Sequence, residues 1–362
     1  MNQHPDVHLA ANQWSSDQVL HVATAYSNPF RWRTRRELAN DFVRHMRASA
    51  NVQLHVVELA YGDRPFEVTN HWNPGSREIQ TDVQLRTRSE LFHKENLLNL
   101  AVRSFPPGWR YGAIVDADFH FARHDFALET IHQLQHHAWV QMFSSYTDLS
   151  GDQPGTGHRP IGVNNGFAYN YVQNGFKIAD GWGPGGATKE ASMVDSAGHL
   201  DAATAYGDTP RGRKVGATGG AWAFTREAFD ATGGLLDRCI LGHGDWFSAF
   251  GLVGMLAPDM RIAGYSDDYR QYIFAWQKRA AILERNIGYV DCHALHGFHG
   301  PKVNRGYSSR DAILVEHQYS PTRDVAPDWQ GVLQLVPGKP GLRDAIRRYF
   351  LSRSEDAPQP PV

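Results

Sequence analysis

The alternation of strand and helix patterns between Val19 and Ser144 constrains this chain most. Val19–Tyr26 is a run of strand formers closed by the turn signal Ser27-Asn28-Pro29. Leu38, Phe42 and Met46 follow at spacings of four, a helical stripe, and Val52–Leu59 reads as a second strand. Thr87 and Glu90 have capping-box spacing ahead of a helix carrying Leu91, Leu98 and Val102, which Pro106-Pro107-Gly108 breaks. Tyr111–Val115 is a short buried strand running into Asp116-Ala117-Asp118. Ala127, Ile131, Leu134 and Ala138 mark a further helix and Trp139–Ser144 a further strand. Strands alternating with helices predict an α/β fold: a mixed, mainly parallel sheet with helices on both faces. In such sheets ligands bind beyond the carboxyl ends of the strands, so Ser27–Arg36 and Asp116–Asp118 are where chemistry is expected.

At 41% hydrophobic and 20% charged residues over 362 positions, the chain can fill a large core, which excludes a disordered polypeptide. Its net charge of −2 carries no basic excess of the kind nucleic-acid binders show, although 19 histidines make the surface sensitive to mild acid. No apolar run is long enough to cross a bilayer, and the polar N-terminus has no signal-peptide pattern. Two cysteines, Cys239 and Cys292, are too few for a disulfide framework and suggest a reducing compartment. Residues 151–220 hold 16 of the 34 glycines, which suggests a lid or binding loop. Regular patterning resumes where Phe224 and Phe229 flank a Thr225 N-cap and Gly233-Gly234 stops the helix. The expectation is one catalytic domain over 1–353 with a glycine-rich insertion at about 151–217, then a disordered proline-rich tail at 354–362.

Four segments carry candidate chemistry. Asp116-Ala117-Asp118 offers carboxylates to a hard divalent cation such as Mg²⁺ or Mn²⁺, though surface turns also produce the pattern. His293, His296 and His299, at i, i+3 and i+6, can converge on Mn²⁺ or Zn²⁺, or hydrogen-bond within a polar loop. Arg31, Arg33, Arg35 and Arg36 open a helix after the first strand, where a helix N-terminus and guanidinium forks suit phosphate. Arg31 and Arg33 lie in the turn itself, whereas Arg35 and Arg36 read as a solvated helix face. Asp245, within Gly242-His243-Gly244-Asp245-Trp246, can act as a general base in a loop that admits close approach, or serve as a helix N-cap.

In chain order these segments resemble the β-1,4-galactosyltransferase family of inverting, metal-dependent glycosyltransferases with the GT-A fold. Pro29-Phe30-Arg31-Trp32-Arg33 matches the family's Pro-Phe-Arg-x-Arg, and Phe92–Asn99 is similar to its Phe-Asn-Arg-Ala-Lys-Leu-Leu-Asn helix. Asp116-Ala117-Asp118 matches its Asp-Val-Asp, and Gly219–Phe229 its Gly-Gly-x-x-Ala segment. Leu241–Asp245 is similar to its Trp-Gly-Gly-Glu-Asp catalytic loop, and His296-x-x-His299 to its Met-x-x-His. The resemblance implies that Pro29, Phe30, Arg31, Arg33, Asp116, Gly220 and Trp222 bind a UDP-sugar donor. It further implies that Asp118, His296 and His299 hold Mn²⁺ or Mg²⁺, that Lys302 and Arg305 add positive charge near the diphosphate, and that Asp245 is the catalytic base. Two family residues that shape the acceptor pocket are replaced, by Leu241 and Gly244, so an N-acetylglucosamine acceptor does not carry over.

The acceptor classes left open are a glycan or lipid-linked sugar, a protein side chain, and a hydroxymethylated base in phage-type DNA. The last would be gripped by Arg211, Arg213, Lys214 and the tail arginines and stacked by Tyr169, Tyr171 and Trp182. The family's animal members are membrane-anchored and luminal. The missing anchor here suggests a cytoplasmic setting, bacterial or phage-infected. The tail helix, with Leu342, Ile346 and Phe350 opposite Arg343, Arg347 and Arg348, reads as a docked helix that could also rest on an anionic membrane. A non-catalytic nucleotide-sugar or glycan-binding module is the alternative function. A metal-dependent phosphoesterase would use Asp118 and the histidines but not the Pro-Phe-Arg-x-Arg segment.

Overall fold

A computed structural model describes residues 18–69, 82–151, 158–177, 215–257, 264–306 and 309–358. The first half follows the expected alternation with one unexpected strand, β3, added: β1 (Leu20–Ser27), α1 (Arg33–Ala48), β2 (Val52–Tyr61), β3 (Val83–Thr87), α2 (Lys94–Arg103), β4 (Tyr111–Val115). Then come β5 (Phe119–Phe121), α3 (Phe126–Leu134), β6 (Trp139–Gln141), β7 (Ser145–Leu149), β8 (Pro160–Asn165) and α4 (Phe167–Gln173). The second half adds β9 (Ala221–Thr225), α5 (Arg226–Thr232), α6 (Gly244–Leu252), α7 (Asp267–Ala280), β10 (Ile287–Tyr289) and β11 (His293–His296). It closes with α8 (Arg310–Glu316), β12 (Val325–Pro327), β13 (Leu333–Leu335) and α9 (Pro340–Ser352).

Seven strands form the main sheet in the order β10-β6-β9-β4-β1-β2-β3. β4, β1, β2 and β3 are parallel, as are β6 and β10, while β9 runs antiparallel between β4 and β6. The sheet is therefore mixed and mainly parallel. Side chains alternate across each strand: on β1, Leu20 and Val22 face a core shared with Phe42 and Met46 of α1 and Ile131 of α3. Ala23 faces the opposite core, which holds Leu97 and Leu98 of α2, Phe247 of α6 and Trp276 of α7. Helices thus cover both faces. A second sheet, β5-β11-β7-β8, stands beyond the carboxyl end of β4, and the β12-β13 hairpin is separate.

Local reading succeeds where side chains act through near neighbours. The Thr225 hydroxyl accepts the Ala228 N–H, the Phe224 and Phe229 rings lie 4.6 Å apart, and Gly233 ends α5 in the left-handed region at φ 73°. It fails where tertiary partners intervene. The Thr87–Glu90 capping box does not form, because Thr87 turns to Gln334 and Ser89, Glu90 pairs with Arg347, and α2 starts at Lys94 with no side-chain cap. The glycine-rich segment is not structureless throughout, since it contributes β8 and α4, with Phe167, Ala168 and Tyr171 buried. Residues 178–214, including Trp182, Arg211, Arg213 and Lys214, lie outside the described residues. Tyr171 is buried and so closed to base stacking, while Tyr169 is half-buried with the Tyr289 ring at a steep angle to it. The tail expected to be disordered from Ser354 instead buries Glu355, which sits between Arg35 and Arg353; 359–362 lie outside the described residues. Leu342, Ile346 and Phe350 are buried in the core, so the apolar face of α9 is unavailable to a membrane. No helix among the described residues is long and apolar enough to cross one.

Candidate functional site

At the carboxyl ends of β1 and β4 a cleft of about 370 Å³ opens, lined by the ends of these strands, the start of α2, the entry to β9, the start of α6 and the segment after β11. β4 delivers Asp116-Ala117-Asp118 to its floor, and the N–H of Asp116 donates to the Gly220 carbonyl at 2.8 Å, joining that floor to β9. β11 pairs antiparallel with β5, setting His296 opposite Phe119 and so beside Asp118. The chain then turns back through Gly297, whose N–H bonds the Asp118 carbonyl, and presents His299.

Asp118, His296 and His299 converge, their ligand atoms all lying within 4.8 Å of one another. Asp118 Oδ2 is 3.1 Å from His299 Nε2 and 3.7 Å from His296 Nε2. Its other oxygen, Oδ1, is buried with no hydrogen-bond partner among the described residues, an arrangement costly unless something electropositive meets it. Behind His296 stands Asp148 of β7, which accepts Nδ1 at 2.7 Å and is held by Lys302 at 2.7 Å and Asn164 at 3.0 Å. A carboxylate on one imidazole nitrogen orients the ring and leaves the other nitrogen for a metal. The donor set therefore fits a metal ion.

The charges of the cluster offset one another. Burial alone would raise Asp118, yet the histidines and Arg305 hold it well below the usual carboxylate range. Asp148 is drawn down to about 2 against its burial, chiefly by His296. Burial would lower His296, but Asp118 and Asp148 push it up to about 9. Burial, with the Arg305 charge, keeps His299 well below its ordinary value and hence neutral. His293, the third histidine of the triplet, is absorbed elsewhere by hydrogen bonds to Ser145 and Thr147.

On the opposite side, Asp245 enters in the first turn of α6, where Oδ1 accepts its neighbour's N–H from Trp246 at 2.8 Å. Its Oδ2 lies 2.5 Å from where a Cβ on Gly219 would stand, so glycine at 219 makes room for this carboxylate. Asp116 is 2.5 Å from the Lys94 ammonium. Gly220 lines the cleft, whereas Trp222 is buried behind its floor with Nε1 bonded to the Thr218 carbonyl.

The arginine run is distributed differently from its sequence reading. Pro29 lines the cleft. Phe30 does not, being wedged between Trp32 and Phe350, and Arg31 and Arg33 are exposed outside it. Arg31 takes a positive φ of 59°, which swings the chain around before α1 begins. The N-terminus of α1 is already filled, since the N–H groups of Arg33 and Thr34 donate to Asp356 at 2.9 and 2.8 Å. Arg35, read as a solvated residue, instead faces the cleft, bonded to the Ser27 carbonyl and paired with Glu355. With Lys302, Arg305, Arg310 and Arg353 it gives the cleft a basic wall. Sequence spacing could not find Asp148, Arg310 or Arg353, which reach the cleft only through tertiary folding. His243 beside Asp245 adopts a left-handed φ of 70°, its ring held between Asp311 and Arg310.

No protein-family model and no curated protein matches the chain. Among solved structures it is similar to 4-diphosphocytidyl-2C-methyl-D-erythritol synthase from Anaerococcus prevotii, at 8% identity and a TM-score of 0.34, over 93% of this chain and 97% of that one. A likeness that loose says nothing about reaction or ligand.

Proposed function

We propose that this chain is a metal-dependent inverting glycosyltransferase that moves a sugar from a UDP-sugar to an acceptor hydroxyl on a glycan, lipid-linked sugar or hydroxymethylated base. The observation that carries the reading is the convergence of Asp118, His296 and His299 at the carboxyl end of β4, with Asp148 behind them and Asp245 lining the same cleft. Asp118, His296 and His299 would hold Mn²⁺ or Mg²⁺, which when bound supplies Lewis-acid neutralisation of a departing diphosphate. Arg35, Lys302, Arg305, Arg310 and Arg353 supply fixed positive charge to the diphosphate on the same wall. Lys94 holds Asp116, keeping the floor of the cleft in register with α2.

Asp245 accepts the proton of the acceptor hydroxyl as the acceptor oxygen bonds to the anomeric carbon. The bond from that carbon to the UDP oxygen breaks, its electron pair leaves with UDP, and configuration inverts because attack comes from the face opposite the leaving group. The test is UDP release from a panel of UDP-sugars with Mn²⁺, using glycans and hydroxymethylated DNA as acceptors. One donor is expected to turn over, and Asp118→Ala and Asp245→Ala are each expected to lower the rate at least ~100-fold. UDP binding without turnover would make the chain a nucleotide-sugar-binding module. Failure to bind UDP at all would sink the transferase reading.

A further inference from the structure

Glu95 is an acid that the chemistry above leaves unused. It is the second residue of α2, is 5% exposed, and lines the cleft together with Asp245. Its carboxyl ends where a side chain on Gly244 would begin: a Cβ there would stand 2.7 Å from both Cδ and Oε1 of Glu95. Gly219 leaves the matching space for Asp245. Two glycines on different elements thus hollow out room for two carboxyl groups, one from α2 and one from α6. Any side chain at 244 would displace Glu95, so the two residues are complementary.

The charged and titratable groups around Glu95 are Lys94 on its own helix, Asp116 at the end of β4, Asp245 on α6 and the buried Cys239 thiol. Lys94 is committed to Asp116. Burial pushes Glu95 up to about 8; Lys94 opposes this, while Asp245 and Asp116 add to it. At neutral pH it is a carboxylic acid, able to donate a hydrogen bond beside the group that accepts a proton. An environment that keeps one carboxyl protonated lets a site hold a hydrogen-bond donor next to a base.

We propose that Glu95 positions the acceptor, its carboxyl holding one acceptor hydroxyl while Asp245 takes the proton of a neighbouring one, and that position 244 is glycine to let that carboxyl in. This rests on the transferase reading. The acceptor it selects offers two hydroxyls within reach of each other, as sugars do, whereas a hydroxymethylated base offers one.

The test is steady-state transfer to methyl glucoside, methyl galactoside and a hydroxymethylcytosine oligonucleotide, with calorimetric UDP–Mn²⁺ binding as the check on donor half and fold. Glu95→Ala is expected to raise the acceptor KM about tenfold or more with a smaller effect on kcat, the signature of lost hydrogen-bonded binding. In the unmutated protein kcat/KM is expected to fall above about pH 8, as Glu95 gives up its proton and the hydrogen-bond donor is lost. Glu95→Gln, which keeps a donor, loses that alkaline fall. Gly244→Ala raises KM in the same direction, and Glu95→Ala/Gly244→Glu, which brings the carboxyl in from the other element, recovers part of the loss. Unchanged KM and an unchanged alkaline limb in Glu95→Ala and Glu95→Gln, with transfer and UDP binding intact, overturn the role of Glu95 alone. Absence of UDP binding in the unmutated protein overturns both readings.

Discussion

Asp148 carries two loads: it fixes the imidazole of His296 through Nδ1 and neutralises Lys302, while 5% exposed and bonded also to Asn164. Removing its charge frees the ring to rotate and to carry its one N–H on the nitrogen a metal needs. Asp148→Asn is therefore expected to weaken Mn²⁺ binding by about 10–100-fold, the usual cost of losing a carboxylate behind a ligating histidine. Calorimetric titration of Mn²⁺ reads this, with thermal melting as the check on folding, and equal affinity in the variant would contradict it. Spacing put forward His293, His296 and His299 together, and only the family resemblance singled out His296 and His299 beside Asp118; His293 bonds Ser145 and Thr147 instead. Asp148 was not legible in the sequence, because it lies mid-strand in Ser145–Leu149 and meets His296 only through the parallel pairing of β7 with β11. Arg35 was misjudged for a related reason: the positive φ at Arg31 turns the chain by an amount no residue pattern announces, and it decides which arginines face inward.

At the scale of elements, long periodic runs were readable and contact-dependent ones were not. β2 and β4 come out within two residues of their patterns, as strands buried on both faces, and α1 holds its stripe with Phe42 and Met46 buried, though it starts five residues before Leu38. β3 and β8 escaped, the first too short and half polar, the second a largely exposed strand in a glycine-rich stretch. α9 shows the consequence for function. Its basic side faces out and its apolar side is core, and it brings Phe350 and then Arg353 to the cleft wall. Leu342, fully buried in that face, is expected to cost about 2–5 kcal/mol on truncation to alanine, the range for a core leucine. Urea unfolding measures this. Co-sedimentation of the unmutated protein with anionic vesicles is expected to show no binding through α9, and strong binding would mean that the helix leaves the core.

Across the whole molecule, buried histidines set the acid limit of stability. Burial lowers His93 to about 4, and His55 to about 4 with the neighbouring His21 adding to the shift. The unfolded chain binds protons at these positions below about pH 6.5 while the folded one does not, so stability falls as pH drops from about 6.5 toward 4 and levels off below. Each contributes at most about 3 kcal/mol. Glu95 works the other way: its folded value near 8 means that stability is lost as pH rises from the ordinary glutamate range to 8. Melting temperature against pH is expected to peak between these limits, and a flat curve from pH 7 to 4 would contradict the histidine assignment. The alternating pattern announced the layered sheet, and with it the end of the sheet where the cleft opens. Of the cleft's basic wall, Lys302 and Arg305 were expected through the family resemblance, whereas Arg35 of α1, Arg310 of α8 and Arg353 just after α9 were hidden, because no sequence spacing links them. The central claim is that Asp118, His296 and His299 hold a divalent cation where a nucleoside diphosphate binds. Pulsed electron paramagnetic resonance of Mn²⁺ added to the protein with UDP tests it most directly. A bound Mn²⁺ coupled to both histidine nitrogen and UDP phosphorus is expected, with the nitrogen coupling lost in His296→Ala/His299→Ala. Mn²⁺ that stays free, or binds with no nitrogen coupling, would contradict it.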